Sequence, residues 1–473
     1  MLHRFFTAAC VCIAASAQTT DWPAYLGGPD VSHYSTLAQI NRDNVKDLEV
    51  AWLYHSEDEK SQGEIQCNPV VIDGVLYGTS PKRKLFALDA ATGKELWSFR
   101  PEGGSQAGIN RGVAYWSSDA DKRILYTAAN FLYAVNASNG KLIASFGDGG
   151  KVDLKKGLGR DASDLYVSGN TPGVVFEDSY IVGMRVNEAL PAAPGHIRAY
   201  NIRTGEIVWT FHTIPQPGEF GYDTWPAGAH EYTGAANSWA GMSVDRERGI
   251  VYVPTGSAAF DFYGADRHGQ NLFANCLLAL NARTGERIWH FQMVHHDLWD
   301  RDLPAPPNLL TVTRDGKRID AVAQITKSAH VFVFNRETGE PLFPIEERPV
   351  PPSDLAGESA WPTQPFPTLP PAFSRQQFTE EDVTDISPES HAAVLDRLKR
   401  ARSNGQFVPP SREGTVILPG FDGGGEWGGA AVDPNSGVMY VNGSEMPWIL
   451  QMVDIGSDTG GGIIVVYGGK SRR

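Results

Sequence analysis

One pattern returns along this chain and limits the folds open to it. ALDAATGKELW (87–97), AVNASNGKLIASF (134–146), AYNIRTGEIVW (199–209), ALNARTGERIW (279–289) and VFNRETGEPLF (333–343) share it, and AVDPNSGVMYV (431–441) is a weaker copy. Each reads as an alternating apolar strand, then Asp or Asn, a short turn with Thr, Ser or (once) Asn139 before Gly, and a second strand closing on an aromatic. The Asp or Asn side chain bonds its own backbone and the Gly takes positive φ, so each unit is a β-hairpin. The Gly-to-Gly spacings are 47 (Gly93 to Gly140), 65 (Gly140 to Gly205), 80 (Gly205 to Gly285) and 54 (Gly285 to Gly339). A hairpin repeated every 40–50 residues or so, and stretched by insertions, is the signature of a β-propeller. A β-sandwich also holds several hairpins, but recurrence of the same closing aromatic favours blades. The expected class is all-β.

Composition agrees. The chain has 473 residues, 41% of them apolar, with 50 Gly, 31 Pro and 12 Trp, as expected for many turns and many anchored aromatics. Its net charge is −14 and no strongly basic stretch appears, which argues against a nucleic-acid partner.

The N-terminus places His3 and Arg4 before an apolar run, Phe5 to Ala15, that ends in Ala15-Ser16-Ala17. This is the pattern of a secretory signal, with cleavage expected near Ala17. The expected organisation is a signal peptide over 1–17 and a propeller domain over 18–473, exported to the periplasm or secreted. No run is long and apolar enough for a transmembrane segment. Cys10 and Cys12 fall in the signal, leaving Cys67 and Cys276, too few for a disulfide scaffold. No C-x-x-C-H occurs, so no covalent c-type haem is expected.

Residues 341–405 depart from the repeat. Ten prolines over 341–371 read as an extended surface excursion. Ser387-Pro388 then opens a helix, PESHAAVLDRLKRAR, with Val394, Leu395, Leu398 and Ala401 on one apolar face.

VHHDLWDRDLPAPP (294–307) is the densest stretch of ionisable groups. Two histidines and three aspartates fall in residues 295–302, and Pro304, Pro306 and Pro307 follow. By residue type alone it is a metal site, a general base or an acidic surface loop.

Taken together, DWPAYLGGPDVSHYSTLAQINRDNVKDLEVAW (21–52), the TG hairpins and HHDLWDRDLPAPP resemble the pyrroloquinoline quinone (PQQ)-dependent dehydrogenases. The resemblance covers residues 21 to about 450. It is nearest to the quinoprotein glucose dehydrogenase branch, in a form without its membrane-spanning N-terminal region. It implies an eight-bladed quinoprotein β-propeller with PQQ and a metal near the axis: Ca²⁺, or alternatively Mg²⁺ or a lanthanide. It also implies a small sugar or alcohol as substrate and a quinone or cytochrome as electron acceptor.

The resemblance assigns residues too. Asp300 stands where the family has its general base, which takes the substrate O–H proton. Asp302 is expected on the same side of a local strand, as a second carboxylate near the metal. Lys327, in AQITKSAHVFVFNRETG, matches the lysine that stabilises charge on the quinone oxygen. Arg111, in INRGVAY, matches an arginine that pairs with a PQQ carboxylate. Trp239, in GAANSWAGM, matches the tryptophan that stacks on the quinone, although propellers also use Trp to dock blades. Glu188, in GMRVNEALP, matches the metal-ligating carboxylate, with Asn187 as the fallback ligand. His295, His296 and Asp297 are expected to pin the loop.

Two positions depart from what the resemblance implies. Ala107 stands where glucose-type members have a histidine four residues before the arginine, and Ser257, in VPTGSAAFDFYG, stands where alcohol-type members have an asparagine ligand. The tail after residue 452 holds no further TG hairpin, so the chain is expected to lack the family's last blades and to leave its N-terminal strand without a closing partner. The alternative reading is a non-catalytic or degenerate propeller, acting as a scaffold or standing as an inactive paralogue.

Overall fold

The computed structural model describes residues 21–58, 63–101 and 108–454 and the strand Ile463–Tyr467. The proposed signal (1–17) and Ala107 lie outside the described residues.

The repeat pattern builds sheets. Four four-stranded antiparallel sheets follow one another. The first holds Val70–Ile72, Val75–Thr79, Leu85–Asp89 and Glu95–Phe99. The second holds Ala114–Ser118, Asp121–Ala128, Phe131–Asn136 and Lys151–Asp153. The third holds Val174–Phe176, Ser179–Val182, Ile197–Asn201 and Ile207–Phe211. The fourth holds Ser243–Asp245, Ile250–Pro254, Cys276–Asn281 and Arg287–Gln292. A fifth has three strands, Asn308–Arg314, Lys317–Ile325 and Val331–Asn335. Beyond it, Thr415–Ile417, Trp448–Asp454 and Ile463–Tyr467 form another three-stranded sheet, and Ala430–Asp433 pairs with Val438–Val441.

Each sheet buries its face on the next. Val70, Tyr77 and Leu85 of the first pack with Ile124 and Tyr133 of the second. Trp116, Leu125 and Leu132 of the second pack with Tyr180, Val182 and Tyr200 of the third. Ile181, Ala199 and Trp209 of the third meet Val251, Val253 and Leu278 of the fourth. Tyr252, Leu277 and Trp289 of the fourth meet Val322, Phe332 and Phe334 of the fifth. Face-to-face stacking in chain order is propeller geometry.

The turn chemistry works as the sequence implies. Asn281 Oδ1 accepts the Arg283 and Thr284 N–H groups at 2.9 and 3.2 Å, and Gly285 sits at φ 76°. Asn335 and Gly339 repeat the arrangement, with φ 74° at the glycine. The closing tryptophan of one sheet docks on the turn of the next. Trp209 Nε1 donates to Ala282 O at 3.1 Å, and its ring lies where a Cβ on Gly285 would fall 2.5 Å from Trp209 Cε3. Trp97 to Ala137 and Trp289 to Arg336 follow the same rule, at 2.9 and 3.1 Å. Glycine is needed there for its φ and for its missing side chain.

Two expected hairpins are incomplete. After Asn136 the chain makes only a bridge, Val135 to Leu142, and the outer strand is Lys151–Asp153. After Asn335 only Phe334 bridges Pro341, because proline has no N–H with which to continue the ladder.

The excursion over 341–371 is not only surface. Ile345–Pro349 pairs with Thr363–Pro367, and Gln364 is completely buried. The helix Pro388–Lys399 forms as expected, with Ser387 Oγ accepting the Ser390 N–H at 3.1 Å. Leu398 packs with Val383 and Val416, and Val394, Leu395 and Ala401 lie against that cluster.

The N-terminal segment has partners. Trp22 exchanges backbone hydrogen bonds with Val71 of the first sheet. Pro29 O accepts from Val244 N of the fourth sheet, Asp30 O from Leu309 N of the fifth, and Ser32 O from Val432 N. Residues 22–32 thus cross the hub and tie widely separated sheets together.

Candidate active site

In an antiparallel sheet the start of the first strand and the end of the second lie at the same end. The residues just before the first strands and just after the second strands line one cavity of about 210 Å³. Arg111, Asn170, Trp239, Asp300 and Asp302 precede first strands, while Glu188, Ser257, Asp261 and Lys327 follow second strands.

The loop 293–303 carries the base candidate. Asp297 accepts the Trp299 N–H at 2.8 Å and the Arg301 N–H at 2.6 Å, and it also bonds Ser257 Oγ and Asn275. His296 lies 2.9 Å from both Gly269 O and Glu358 Oε1, its side chain fully buried. His295 lies 2.7 Å from Gln292 Oε1 and 3.1 Å from Glu347 Oε1. These three residues pin the loop, as the sequence implies. Trp299, fully buried, donates to Val408 O at 2.8 Å.

This bracing holds Asp300 in the left-handed region, at φ 55°. Aspartate tolerates that conformation better than most residues. Residues 300–302 are not a strand, so the expected alternation does not apply. Asp300 and Asp302 reach the same cavity because the loop turns, not because side chains two apart share a strand face.

Lys327 Nζ lies 3.0 Å from both Asp300 oxygens and 3.6 Å from Asp302 Oδ2. Burial pushes the Asp300 carboxyl well up, and the Lys327 charge only partly offsets it. Burial works against the Lys327 charge as well, but the Asp300, Asp302 and Glu426 carboxylates outweigh it and hold the ammonium above its ordinary range. Asp261 is pushed well up by burial and by the carboxylates of Asp300, Asp302 and Glu188.

Trp239 faces this pair. Its Nε1 donates to Asp302 Oδ2 at 2.9 Å, and its ring lies 5.9 Å from Lys327 Nζ. The Arg111 guanidinium sits 5.2 Å from the Trp239 ring and 4.8 Å from the Trp427 ring, and Nη1 donates to Thr171 Oγ1 at 3.1 Å. Arg111 Nε is buried and has no hydrogen-bond partner among the described residues.

The expected metal ligands divide. Glu188 lines the cavity mouth, largely exposed, 3.4 Å from Arg185 Nη2. Asn187 does not line it: its amide donates to Ala189 O at 2.7 Å and to Pro191 O at 3.4 Å, serving the local turn. Among the described residues no three His, Cys, Asp or Glu side chains are set to hold a metal by themselves.

Sequence reasoning missed Asn170, Asp261, Glu426 and Trp427. Glu426 is pushed up to about 7 by burial, against the pull of Lys327. A usable signal existed: Trp427 precedes the strand Ala430–Asp433 as Arg111 and Trp239 precede their own first strands.

A family model described as "PQQ: Glucose/ethanol/alcohol dehydrogenase, beta-propeller domain" matches residues 22–460. The chain belongs to this PQQ dehydrogenase family. It is 33% identical over 462 residues to the quinoprotein glucose dehydrogenase of Escherichia coli (strain K12), covering 92% of this chain and 57% of that protein. It is also 33% identical to the glycerol dehydrogenase large subunit of Gluconobacter oxydans (strain 621H), covering 93% of this chain and 62% of that one. The quinate/shikimate dehydrogenase (quinone) of Acinetobacter baylyi is 30% identical, with 92% and 57% covered. The chain therefore spans about 60% of the length of these PQQ dehydrogenase relatives. Among solved structures, the quinohemoprotein alcohol dehydrogenase from Comamonas testosteroni superposes with TM-score 0.68 at 24% identity, over 93% of this chain and 60% of that one. A europium-containing methanol dehydrogenase gives 0.68 at 22%, over 94% and 73%. The fold is the β-propeller of the PQQ dehydrogenases.

Proposed function

We propose that this chain binds PQQ and a metal ion and oxidises a sugar or alcohol hydroxyl, with Asp300 as the general base. The observation that carries the reading is the buried Asp300–Lys327 pair, at 3.0 Å, in a cavity that Trp239 also lines. The donor set fits the cofactor. Arg111 keeps an unpartnered buried Nε for a carboxylate, Lys327 offers an ammonium for a quinone oxygen, and Trp239 offers an aromatic face. Carboxylate oxygens from Glu188 and Asp300, in a cavity that Asp261 and Asp302 also line, suit a hard cation, Ca²⁺ first and Mg²⁺ or a lanthanide as alternatives. Since among the described residues no three carboxylates close a cage, the cation needs oxygens from its co-ligand as well.

When bound, PQQ supplies the hydride acceptor and the metal supplies Lewis acidity. The chain's residues do the rest. Asp300 accepts the substrate hydroxyl proton; burial raises its proton affinity, as a base near neutral pH requires. Lys327 keeps that carboxylate oriented, and Asp302 holds the Trp239 ring by its indole N–H. The relatives named for glucose, glycerol and quinate/shikimate set the substrate class to be tried, with a quinone or cytochrome as acceptor. Export through the N-terminal signal to the periplasm or outside the cell completes the reading.

The test is a PQQ titration of the purified chain with Ca²⁺ and, separately, La³⁺, followed by dye reduction over sugars, alcohols and hydroxy acids. Binding with dye reduction that disappears in Asp300→Ala supports the reading. Failure to bind PQQ with either metal sinks it and leaves the scaffold or inactive alternative.

A further inference from the structure

We propose that Asp261, and not Asp302, is the second aspartate ligand of the cation in this cavity. The inference rests on the reading above and assigns that site's oxygens.

Asp302 is already committed. Its Oδ2 accepts the Trp239 indole N–H at 2.9 Å and its Oδ1 accepts the Ser257 backbone N–H at 2.5 Å. Turning Asp302 toward a cation leaves two half-buried donors without acceptors, which proteins avoid. Its geometry is that of a residue that positions Trp239.

Asp261 is the opposite case. It is 5% exposed and lines the cavity, and among the described residues no group donates to its carboxylate. Four carboxylates act on it, Asp300, Asp302, Glu188 and Asp297, against the buried guanidinium of Arg267, which donates elsewhere, to Asn271 and to the carbonyls of Phe260 and Asp297. A buried carboxylate among several others, with no hydrogen-bond donor of its own, is costly unless a bound cation supplies further counter-charge. The cavity's own ammonium does not fill that role, because Lys327 lies between Asp300 and Asp302. The backbone around Asp261 is also fixed. Phe262 packs with Val294, Leu298 and Trp299, and Phe260 O accepts from Arg267 Nη2 at 2.9 Å. This short segment, following the strand Ile250–Pro254, therefore presents its carboxylate to the space that Asp300 borders. Ser257, where alcohol-type members have an asparagine ligand, is bonded to Asp297, and Asn187 does not line the cavity. Asp261 replaces the oxygen that neither supplies.

The test measures cation binding directly, without turnover. Tryptophan-sensitised Tb³⁺ luminescence and Ca²⁺ displacement are followed in the unmutated chain, Asp261→Asn, Asp261→Ser and Asp302→Asn, with melting curves for each. Either Asp261 variant should weaken Tb³⁺ binding by about tenfold or more. Each should also melt higher than the unmutated chain without metal and gain less from adding it. Asp302→Asn should hold Tb³⁺ affinity within about twofold and alter tryptophan emission instead. Loss of affinity in Asp302→Asn with none at Asp261, or no Tb³⁺ binding by the unmutated chain, overturns the assignment. If the unmutated chain binds PQQ in those cases, the dehydrogenase reading survives; if it binds neither, both fall.

Discussion

At the scale of single residues, the Asp300–Lys327 pair separates chemistry from stability. Asp300→Asn should lower the rate of dye reduction by about 10²–10⁴-fold, the usual worth of a general base, while PQQ still binds, as absorbance would report. Lys327→Met leaves a buried carboxylate alone and should cost about 3–5 kcal/mol; the Asp300→Leu, Lys327→Met double variant should regain most of it in urea melts. His330 gives a pH signature. Burial first, and the Arg348 and Arg301 charges after it, push its pKa from 6.5 down to about 4. A base with a lowered folded-state value contributes stability that is fully present above 6.5 and lost as pH falls toward 4. His330→Asn should flatten the melting temperature across that window; an unchanged slope would remove His330 as its source. Asp300 and Lys327 could be singled out in the sequence because the motifs that carry the resemblance are local, and the fold brings the two within 3.0 Å. The placing of Asn187 was not legible, because the turn that its Nδ2 braces, on the carbonyls of Ala189 and Pro191, leaves it outside the cavity lining.

Among the elements, the TG turns were legible because one side chain and one glycine decide each of them. Gly285→Ala strains a residue at φ 76° and drives a methyl into Trp209. It should destabilise by about 2 kcal/mol or more, read as a shift in the denaturation midpoint; a loss under half of that would show the tryptophan yielding. The excursion over 341–371 was misread in part. Proline content reports the lack of N–H donors, not exposure. Gln364 is buried because its side chain brackets His295, accepting from His295 N at 2.8 Å and donating to His295 O at 2.7 Å. Such long-range bonding leaves no periodic trace. The same holds for Asp261, which lines the cavity, and for Glu426 and Trp427, which meet Lys327 and Arg111, only once separate sheets have assembled.

Across the whole molecule, the crossing of the hub by residues 22–32 joins what the repeats leave separate. Asn308 Nδ2 donates to Val31 O at 2.5 Å and to Ala430 O at 2.7 Å, so one side chain holds both the N-terminal segment and a distant hairpin. Asn308→Ala should cost about 1–3 kcal/mol and speed hydrogen exchange at 22–33 and 430–433 more than in the fourth sheet; uniform acceleration would mean that the segment does not act as a unit. The crossing also sets an order of assembly. During synthesis the sheets form one after another from neighbouring strands, whereas the partners of Asp30 and Ser32 lie at Leu309 and Val432. Trp22 and Pro29 find their partners early, at Val71 and Val244, but the stretch that carries Asp30 and Ser32 stays open to chaperones and proteases until residues 309 and 432 have been made.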